Sequence, residues 1–502
     1  MKSLSVSQVL WAVLFSILSC QGAGPPKERP PGVAGSFYPA DATQLAAYVD
    51  DQLSRAEVPK VDGDVLGLVA PHAGYQFSGS IAAQSYALVK GKKYKRVVLI
   101  GPSHIEGFGY TSVYDGQAYS TPLGRVEVDQ EFSRKLAGQA GSIKLSSTGH
   151  AVHGQAEHSL EVQLPFLQRA IGDFKLVPIV MGNQSYESSR DLGMALAKLL
   201  KNSDTLMVAS SDLSHYHTYD EASRRDHNLL KAITQGDFLT VSRNLEADIW
   251  EACGGGPIVA VMIAAQHLGA APPKLLKYAN SGDVTGDKSR VVGYSAIAFV
   301  RSAKATSASR SDEQILNDTE RRELLSIAHL SVEKAVREHK AYEPPTPSSN
   351  NLLQERGAFV TLTKNGELRG CIGYTTPNFP LYLAIRDTAA LAALRDPRFP
   401  PVKPEELARL QYEISVLSPF HHVLDTKEIR VGEHGLLLKR GSEEGLLLPQ
   451  VPVEQQWDRD TFLEEVSLKA GLPKDAWRDD RTDLFTFTAL VFSDREPILK
   501  KK

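Results

Sequence analysis

The sequence has little cysteine, no strong excess of charge of either sign and no long hydrophobic run. Its 502 residues include three cysteines, too few for the disulfide framework of a small secreted domain, and we expect no structural disulfide. The formal net charge of −3 excludes the basic field that nucleic-acid binding requires. Hydrophobic residues at 42% and charged residues at 23% exclude a disordered chain. The length exceeds what one hydrophobic core usually serves, so we expect two domains.

The amino terminus has the pattern of an export signal. The apolar run Val9–Leu18 is shorter than the ~20 residues of a membrane-spanning helix, which predicts a signal peptide over residues 1–20. The run ends in Ile-Leu-Ser-Cys, which resembles a lipobox, whose cysteine, here Cys20, is lipidated in mature bacterial lipoproteins. We therefore expect an exported, membrane-anchored lipoprotein of the periplasm or cell surface, with ordinary cleavage near Ala23 as the alternative. The proline-rich residues 21–31 would form a stiff tether.

Apolar, β-branched runs alternate with segments of helical period in the first half of the chain, which predicts an α/β domain over residues 32–300. The predicted strands are Val65–Ala70, Arg96–Gly101, Lys175–Val180, Thr205–Ser210 and Val291–Val300. The predicted helices are Ala42–Ser54, Ser80–Val89, Ser159–Ala170, Ser185–Leu200, Tyr219–Gln235 and Ile258–Leu268. Residues 301–315 are small and polar, and predict a linker.

Strands and helices do not alternate regularly beyond the linker, which favours an α+β domain over residues 316–497. Asp318–His339 has the period of a helix. Thr361–Gly373 is predicted to be a hairpin, because Asn-Gly at its centre favours a two-residue turn. Gly441–Gly445 predicts another turn. No repeat of 20–50 residues is evident.

Three strand-like runs of the first domain end in chemically capable residues. The segments are PHAGY with His72, GPSH with His104, and SSDLSH with Asp212 and His215. In open α/β sheets, ligands bind at the carboxyl ends of the strands, so we expect these segments to converge although they are far apart in sequence. A single histidine in a loop is more often structural than a ligand, so the common placement carries the prediction.

Two further segments supply a thiol and another histidine. Cys253 precedes glycines and an apolar helix, where the helix dipole favours a thiolate. The alternative is a buried, inert cysteine at a tight turn. His158 and Glu161 are three residues apart and share a helix face, so they form either a ligand pair or a dipole-complementing helix start.

These motifs identify a resemblance over residues 30–300. The chain contains, in order, GSFYP, PHAGY, GPSH, EHSLEVQLPF, SSDLSH and a Cys-Gly followed by a proline, and in this it resembles the Memo family. The resemblance implies a fold like that of LigB-type class III extradiol dioxygenases. It also implies a metal site formed by His72, His104 and Cys253, with Asp212, His215 and His158 lining the same pocket.

The donor set has chemical consequences of its own. Imidazole and thiolate suit iron or copper, with zinc also compatible, and argue against magnesium or calcium. Three protein ligands leave positions open for water, oxygen or substrate, as in catalytic sites. His215 and His158 are then the candidate acid and base, and Asp212 the residue that orients one of them. A cysteine in place of the carboxylate of extradiol dioxygenases argues against catechol-ring cleavage.

The second domain carries the motif LRGCIG. Strand alternation places Arg369 and Cys371 on one face, where the arginine would lower the pKa of the thiol and hold an anion; the alternative is a cysteine packed in a sheet. Residues 316–495 resemble the AMMECR domain family in this motif, in RDPRFPP and in GLLLPQV. The resemblance implies an α+β fold with a cleft beside LRGCIG. Ser467 replaces a cysteine found in many bacterial members.

The two resemblances together suggest the bacterial AmmeMemoRadiSam assemblage, which implies a radical S-adenosylmethionine protein as partner. Three functions are compatible with the sequence. The first is a metal-dependent oxidoreductase acting on oxygen or a small organic substrate. The second is a module that docks a small-molecule or phosphopeptide ligand in the same crevice, and the third is sequestration of copper or iron. Acid–base residues beside the ligands favour the first.

We expect Cys20→Ser to release the protein from the membrane, because it removes the residue that would carry the lipid. The measurement is the distribution of the chain between membrane and soluble fractions after cell lysis, with Ser19→Ala as the control. A Cys20→Ser variant that stays in the membrane fraction would contradict lipidation.

Overall fold

The computed structural model describes residues 28–152, 155–201, 203–301, 316–376 and 379–494. The predicted signal peptide with Cys20 lies outside these residues, as does the predicted linker apart from its first residue, Arg301. Within the described ranges, no helix combines the length and the apolarity needed to cross a bilayer.

The first domain is built on a nine-stranded mixed sheet. Its centre consists of four parallel strands, in the spatial order Asp64–Ala70, Thr205–Ser210, Arg96–Pro102 and Lys175–Met181. Antiparallel neighbours extend it on both sides. The remaining strands of this sheet are Thr111–Val113, Ile143–Leu145, His215–His217, Lys274–Asn280 and Val291–Arg301.

The central strands are nearly continuous apolar runs because both of their faces are covered. One hydrophobic cluster fills each side of the sheet. The helices that cover it are Ala42–Arg55, Tyr75–Ala87, Gln130–Ala137, His158–Glu161, Leu164–Ile171, Tyr186–Leu199, Tyr219–Gln235, Phe238–Glu246, Gly255–His267 and Ser281–Thr285. Two small ribbons complete the domain: Glu28–Arg29 with Ala118–Thr121 and Gly124–Glu127, and Ala151–Val152 with Gln155–Ala156.

The five predicted strands are present within one residue at each end. Three predicted helices differ from the structure, and one of these, predicted from Ile258, begins at Gly255. The helix predicted from Ser80 begins at Tyr75, a buried residue whose hydroxyl group donates a hydrogen bond to the carbonyl of Val162. The single helix predicted over residues 159–170 is two helices, because Pro165 near the start of the second has no N–H to continue the first.

The proline-rich segment is shorter than predicted at its carboxyl end. Residues 28 and 29 pair in parallel with Ala118–Thr121, and Arg29 is only 2% exposed. Its guanidinium donates to the carbonyl oxygens of His150 and Glu157 and to the carboxylate of Glu161. A buried arginine with three partners belongs to the domain, so the stiff tether predicted over residues 21–31 is wrong from Glu28 onward.

The second domain contains two four-stranded antiparallel sheets flanked by helices, so it mixes α and β structure. Its strands are Ala358–Lys364, Glu367–Tyr374, Leu410–Leu417 and Ala489–Ser493 in one sheet, and His421–His422, Gly435–Arg440, Glu443–Leu447 and Asp483–Phe487 in the other. Its α-helices are Asp318–Glu338, Asn350–Leu353, Leu381–Leu394, Gln450–Glu454 and Arg459–Lys469, and its 3-10 turns are Pro404–Arg409, Thr426–Glu428 and Ala476–Arg478.

The predicted first helix and hairpin of this domain are confirmed. Asn365 and Gly366 have φ values of 55° and 90°, as a hairpin turn of two left-handed residues requires. The second predicted turn is shorter than expected. Gly445 lies in a strand, opposite Leu438, so only residues 441–442 form the turn.

The two domains pack against each other through buried polar contacts and a shared core. The carboxylate of Asp483 accepts hydrogen bonds from Tyr186 Oη at 2.8 Å and from Arg190 Nε at 2.6 Å. Phe238 of the first domain and Phe485 of the second have ring centroids 5.5 Å apart. Although burial raises it, hydrogen bonds from His422 and Arg190 hold the pKa of Asp483 below its ordinary value. The interface therefore contains a buried ion pair.

We expect Asp483→Asn to lower the free energy of unfolding by about 3 kcal/mol, because it leaves the largely buried Arg190 without its counter-charge. The measurement is the urea denaturation curve of the full chain. Glu464→Gln is the control, since its pair with Lys474 is exposed and worth less than about 1 kcal/mol. Equal losses in both variants would contradict a buried pair that holds the domains together.

Candidate metal centre

The carboxyl ends of the central strands bring the predicted ligands together. His72 follows the strand that ends at Ala70, and His104 follows the one that ends at Pro102. Cys253 arrives from the loop before the helix Gly255–His267. One Nδ1 or Nε2 atom of each histidine and the sulfur all lie within 4.8 Å of one another. Bonds of about 2.0–2.3 Å to nitrogen and sulfur would let one ion reach all three donors with small side-chain adjustments.

Cys253 is held by a turn that needs glycine next to it. A Cβ on Gly254 would lie 2.2 Å from the carbonyl oxygen of Ser210, so no larger residue fits without movement. The sulfur accepts a hydrogen bond from the backbone N–H of Asp212 at 3.2 Å and lies 2.9 Å from His72 Nε2. Burial, together with the Asp212 carboxylate, raises the pKa of the Cys253 thiol well above its ordinary range. Burial therefore opposes the thiolate that the helix dipole was expected to favour, and a bound cation would stabilise it.

His104 is oriented by a buried carboxylate. Glu157 Oε1 accepts from the ring Nδ1 of His104 at 2.9 Å and from the backbone N–H of Ser159 at 2.9 Å. A carboxylate bound in this way only accepts, so Nδ1 of His104 carries a proton, and in the neutral ring the lone pair lies on Nε2. Although burial raises it, the hydrogen bonds from His104 and Ser159 lower the pKa of Glu157 to about 2. The carboxylate is therefore ionised at neutral pH.

A hydroxyl group decides the tautomer of His72. Ser210 Oγ donates its one proton to the carbonyl of Ser159 at 2.6 Å and accepts from Gln163 Nε2 at 2.8 Å. It therefore accepts from Nδ1 of His72, which lies 2.9 Å away. Burial and the neighbouring His104 lower the pKa of His72 to about 3, so the ring is neutral. Its Nε2 lone pair then faces the sulfur of Cys253.

The other predicted pocket residues surround these ligands. The ring of His158 lies 4.4 Å from that of His104 and 4.7 Å from that of Phe37, centroid to centroid. Burial and the neighbouring His72 lower the pKa of His158 to about 4, so its ring is a neutral base at pH 7. His215 is half-buried at the start of the strand His215–His217, and its backbone N–H donates to the carboxylate of Glu251.

Asp212 has a different role from the one expected. Its Oδ1 accepts from the backbone N–H of His72 at 2.7 Å, so it fixes the loop that carries a ligand. No ring nitrogen of His158 or His215 donates to it among the hydrogen bonds of the described residues. Burial raises the pKa of Asp212, which opposes the charged form. The carboxylate that orients a histidine ring here is Glu157.

Three of the most important supporting residues are not evident as site residues from the sequence. Glu157, Ser210 and Gln163 set the orientation of the two histidine rings. The available signals were a carboxylate directly before His158 and a serine at the end of a buried strand. Neither signal specifies a partner, because Glu157 and Ser210 meet their histidine rings across 53 and 138 residues of chain.

The motif of the second domain forms different contacts from those expected. Arg369 donates through Nε and Nη2 to Glu406, at 3.1 and 3.0 Å, and not toward the thiol. The pairing with the preceding strand shifts register at this point and leaves Arg369 as an extra residue, which breaks the alternation that the prediction assumed. Burial raises the pKa of Cys371, and the cation near it is Arg398. The prediction of an arginine-lowered thiol pKa is wrong.

The fold and the site define a two-domain protein with a candidate centre of two histidines and one cysteine. The Memo-like protein family model matches residues 29–298, and the AMMECR1 model matches residues 325–492. A MEMO1 family protein from Methanopyrus kandleri is 41% identical over 286 residues, which are 55% of this chain and 99% of that protein. Another, from Aeropyrum pernix, is 42% identical over 284 residues, 54% of this chain and 99% of that protein.

The chain therefore belongs to the Memo-like protein family and carries an AMMECR1 domain after the Memo-like one. Among solved structures, an uncharacterized protein from Pyrococcus horikoshii is 42% identical, with 35% of this chain and 91% of that chain covered and a TM-score of 0.34. An uncharacterized protein from Escherichia coli is 14% identical, with 47% and 99% covered and a TM-score of 0.33.

We expect Glu157→Gln to weaken metal binding about 10- to 100-fold, because the amide replaces the carboxylate that orients and polarises His104. The measurement is the metal dissociation constant of the purified protein, determined by competition with a chelator. Glu187→Gln, on the surface helix Tyr186–Leu199, is the control and should bind as the wild type does. Equal affinity in all three proteins would exclude a contribution of Glu157 to the centre.

Proposed function

We propose that the Memo-like domain is a metal-dependent oxidoreductase whose iron or copper ion is bound by His72, His104 and Cys253. The observation that carries the proposal is that both histidines are held in the tautomer whose free Nε2 is available to an ion beside the sulfur. Imidazole and thiolate bind iron and copper well, accept zinc, and are poor ligands for magnesium and calcium. Three protein ligands leave room for a substrate on the ion.

The residues around the ligands support turnover at this centre. A redox-active ion would supply electron transfer with oxygen or a small organic substrate. His158, with its pKa near 4, is neutral and available to accept a proton, and its ring packs on His104 and Phe37 within the pocket. His215 is the second candidate for proton transfer, held through its backbone by Glu251. A site that only stores metal has no need of a neutral base in this position.

The resemblance to LigB-type extradiol dioxygenases supports a dioxygenase-like reaction and a related fold for this domain. The sulfur ligand separates the present centre from the two-histidine, one-carboxylate set of those enzymes. A thiolate donates more electron density than a carboxylate and favours a softer ion. We therefore propose that the substrate is a small oxidisable organic molecule other than a catechol.

Retention of copper or iron without turnover is the second candidate function, and the thiol favours it. Soft sulfur ligands select Cu(I), and the half-buried Cys253 lies beside the buried His72. A variant of His158 separates the two functions, because this residue lies beside the ligands without being one of the three. Under the oxidoreductase proposal, His158→Ala keeps the metal and loses turnover. A docking module would instead bind its peptide or small molecule with the metal removed.

We also propose export and a redox partner. The apolar amino-terminal run and Cys20 support a membrane-anchored lipoprotein. The combination of Memo-like and AMMECR1 domains supports a radical S-adenosylmethionine protein as partner. Such enzymes normally work in a reducing compartment, so co-purification from the source cells, by compartment, tests both proposals together. Recovery of the two proteins from different compartments would exclude the partnership.

We expect anaerobically purified wild-type protein to contain close to one iron or copper ion per chain, and His72→Ala and Cys253→Ala to lose most of it, because each removes a ligand. Inductively coupled plasma mass spectrometry of the three proteins measures the content. His227→Ala is the matched control, since His227 is exposed on the helix Tyr219–Gln235. Unchanged content in both ligand variants would rule out the proposed centre.

A further inference from the structure

A cleft lies where the two domains meet, and it shares no lining residue with the metal centre. It encloses a cavity of about 90 Å³. The first domain contributes residues from the helix Tyr219–Gln235 and Trp250, and the second contributes residues 354–357 and 417–420. The site therefore requires both domains.

Two cations converge on one neutral acceptor in this cleft. Lys231 Nζ of the first domain donates to Gln354 Oε1 at 2.7 Å, and Arg356 Nη2 of the second donates to the same oxygen at 2.9 Å. Within the described part of the chain, neither cation forms an ion pair with a carboxylate. Arg356 Nε is buried and has no hydrogen-bond partner there. The pair of cations therefore retains a hydrogen-bond donor without an acceptor among the described residues.

The two carboxylates that line the cleft accept hydrogen bonds from groups other than Lys231 and Arg356. Glu355 Oε2 accepts from Trp250 Nε1 at 3.2 Å, and burial raises the pKa of Glu355 although Arg224 and Arg225 oppose that shift. Asp237 accepts from the backbone N–H and hydroxyl of Thr240 and from the N–H of Phe420. Neither acid neutralises the pair formed by Lys231 and Arg356.

Placing these two like charges together is unfavourable in the free protein. Burial lowers the pKa of Arg356, and burial together with the neighbouring Arg356 lowers the pKa of Lys231 to about 8. A bound anion would remove the repulsion and satisfy the orphan guanidinium nitrogen. The arginine fork matches the oxygens of phosphate or carboxylate in bidentate geometry.

We propose that the cleft binds a divalent oxyanion of the phosphate class, either inorganic phosphate or the phosphate group of a small molecule, between Lys231 and Arg356. Two positive charges match the −1.5 to −2 charge of a phosphate monoester near pH 7, whereas a monocarboxylate neutralises only one. Leu417 and Phe420 in the lining provide an apolar wall for the rest of a phosphorylated molecule. The anion would contact both domains and so stabilise their docked arrangement.

Isothermal titration of the full chain with inorganic phosphate, in a chloride buffer of low ionic strength, tests the proposal. We expect saturable binding at one site, weakened about tenfold or more by Lys231→Met and by Arg356→Met, because each removes a charge-assisted hydrogen bond. Arg134→Met is the matched control. It removes the same charge from an exposed position on the helix Gln130–Ala137, outside the cleft, and should bind phosphate as the wild type does.

Gln354→Glu is the variant that best separates loss of anion binding from loss of the fold. It places a carboxylate at the oxygen where both cations already converge, so we expect it to abolish phosphate binding while keeping the fold, judged by a melting temperature no lower than that of the wild type. Phenyl phosphate binding tighter than inorganic phosphate identifies a phosphorylated small molecule as the ligand, and equal or weaker binding identifies free phosphate.

Three results would overturn the site. The first is the absence of phosphate binding to the wild-type protein. The second is an equal loss of affinity in Arg134→Met, which would indicate only a general electrostatic field. The third is acetate binding at least as tightly as phosphate, which would exclude recognition of a divalent oxyanion.

Discussion

The buried ion pair between Arg29 and Glu161 is the interaction on which the metal centre depends. The two side chains are 2% and 0% exposed and meet at 2.8 Å. Arg29 also donates to the carbonyl of Glu157, whose carboxylate then orients His104. Glu161 in turn accepts from the backbone N–H groups of residues 32 and 33 and from the hydroxyl of Tyr38. A buried charge must be paired, so this network ties the start of the domain to the helix that carries the orienting carboxylate.

The metal centre and the interdomain cleft use polar groups in opposite ways. Around His72 and His104 the acceptors and donors that set the ring orientations are all engaged, which leaves one nitrogen on each ring free for an ion. In the interdomain cleft, Lys231 and Arg356 share a neutral oxygen, and no carboxylate among the described residues forms an ion pair with either of them. A fully paired network holds its residues in one arrangement, whereas an unpaired cation pair is unfavourable until an anion arrives. The first pattern suits a preformed centre and the second a ligand-dependent contact.

Much of the first domain was predictable because its central strands are buried on both faces. Such strands are uninterrupted apolar runs, so their ends, and with them the positions of His72, His104 and Asp212, can be located from the sequence. Predictions from local sequence patterns failed where a contact between distant segments changed the local structure. Alternation placed Arg369 beside Cys371, but a shift in strand register turned it to Glu406. Proline-rich composition suggested a tether up to residue 31, but Arg29 is buried in the domain.

The sequence by itself determined which chemical groups are present and at which strand ends they lie, because hydrophobic period and motif order are local properties. Only the tertiary structure decided which nitrogen of each histidine faces the sulfur. That choice rests on Ser210 and Glu157, and each of these meets its ring across more than 50 residues of chain. The tertiary structure also decided that Lys231 and Arg356 face each other, because no local pattern relates two domains that a linker separates. Pairwise contacts between distant segments depend on packing, and packing is a property of the whole chain.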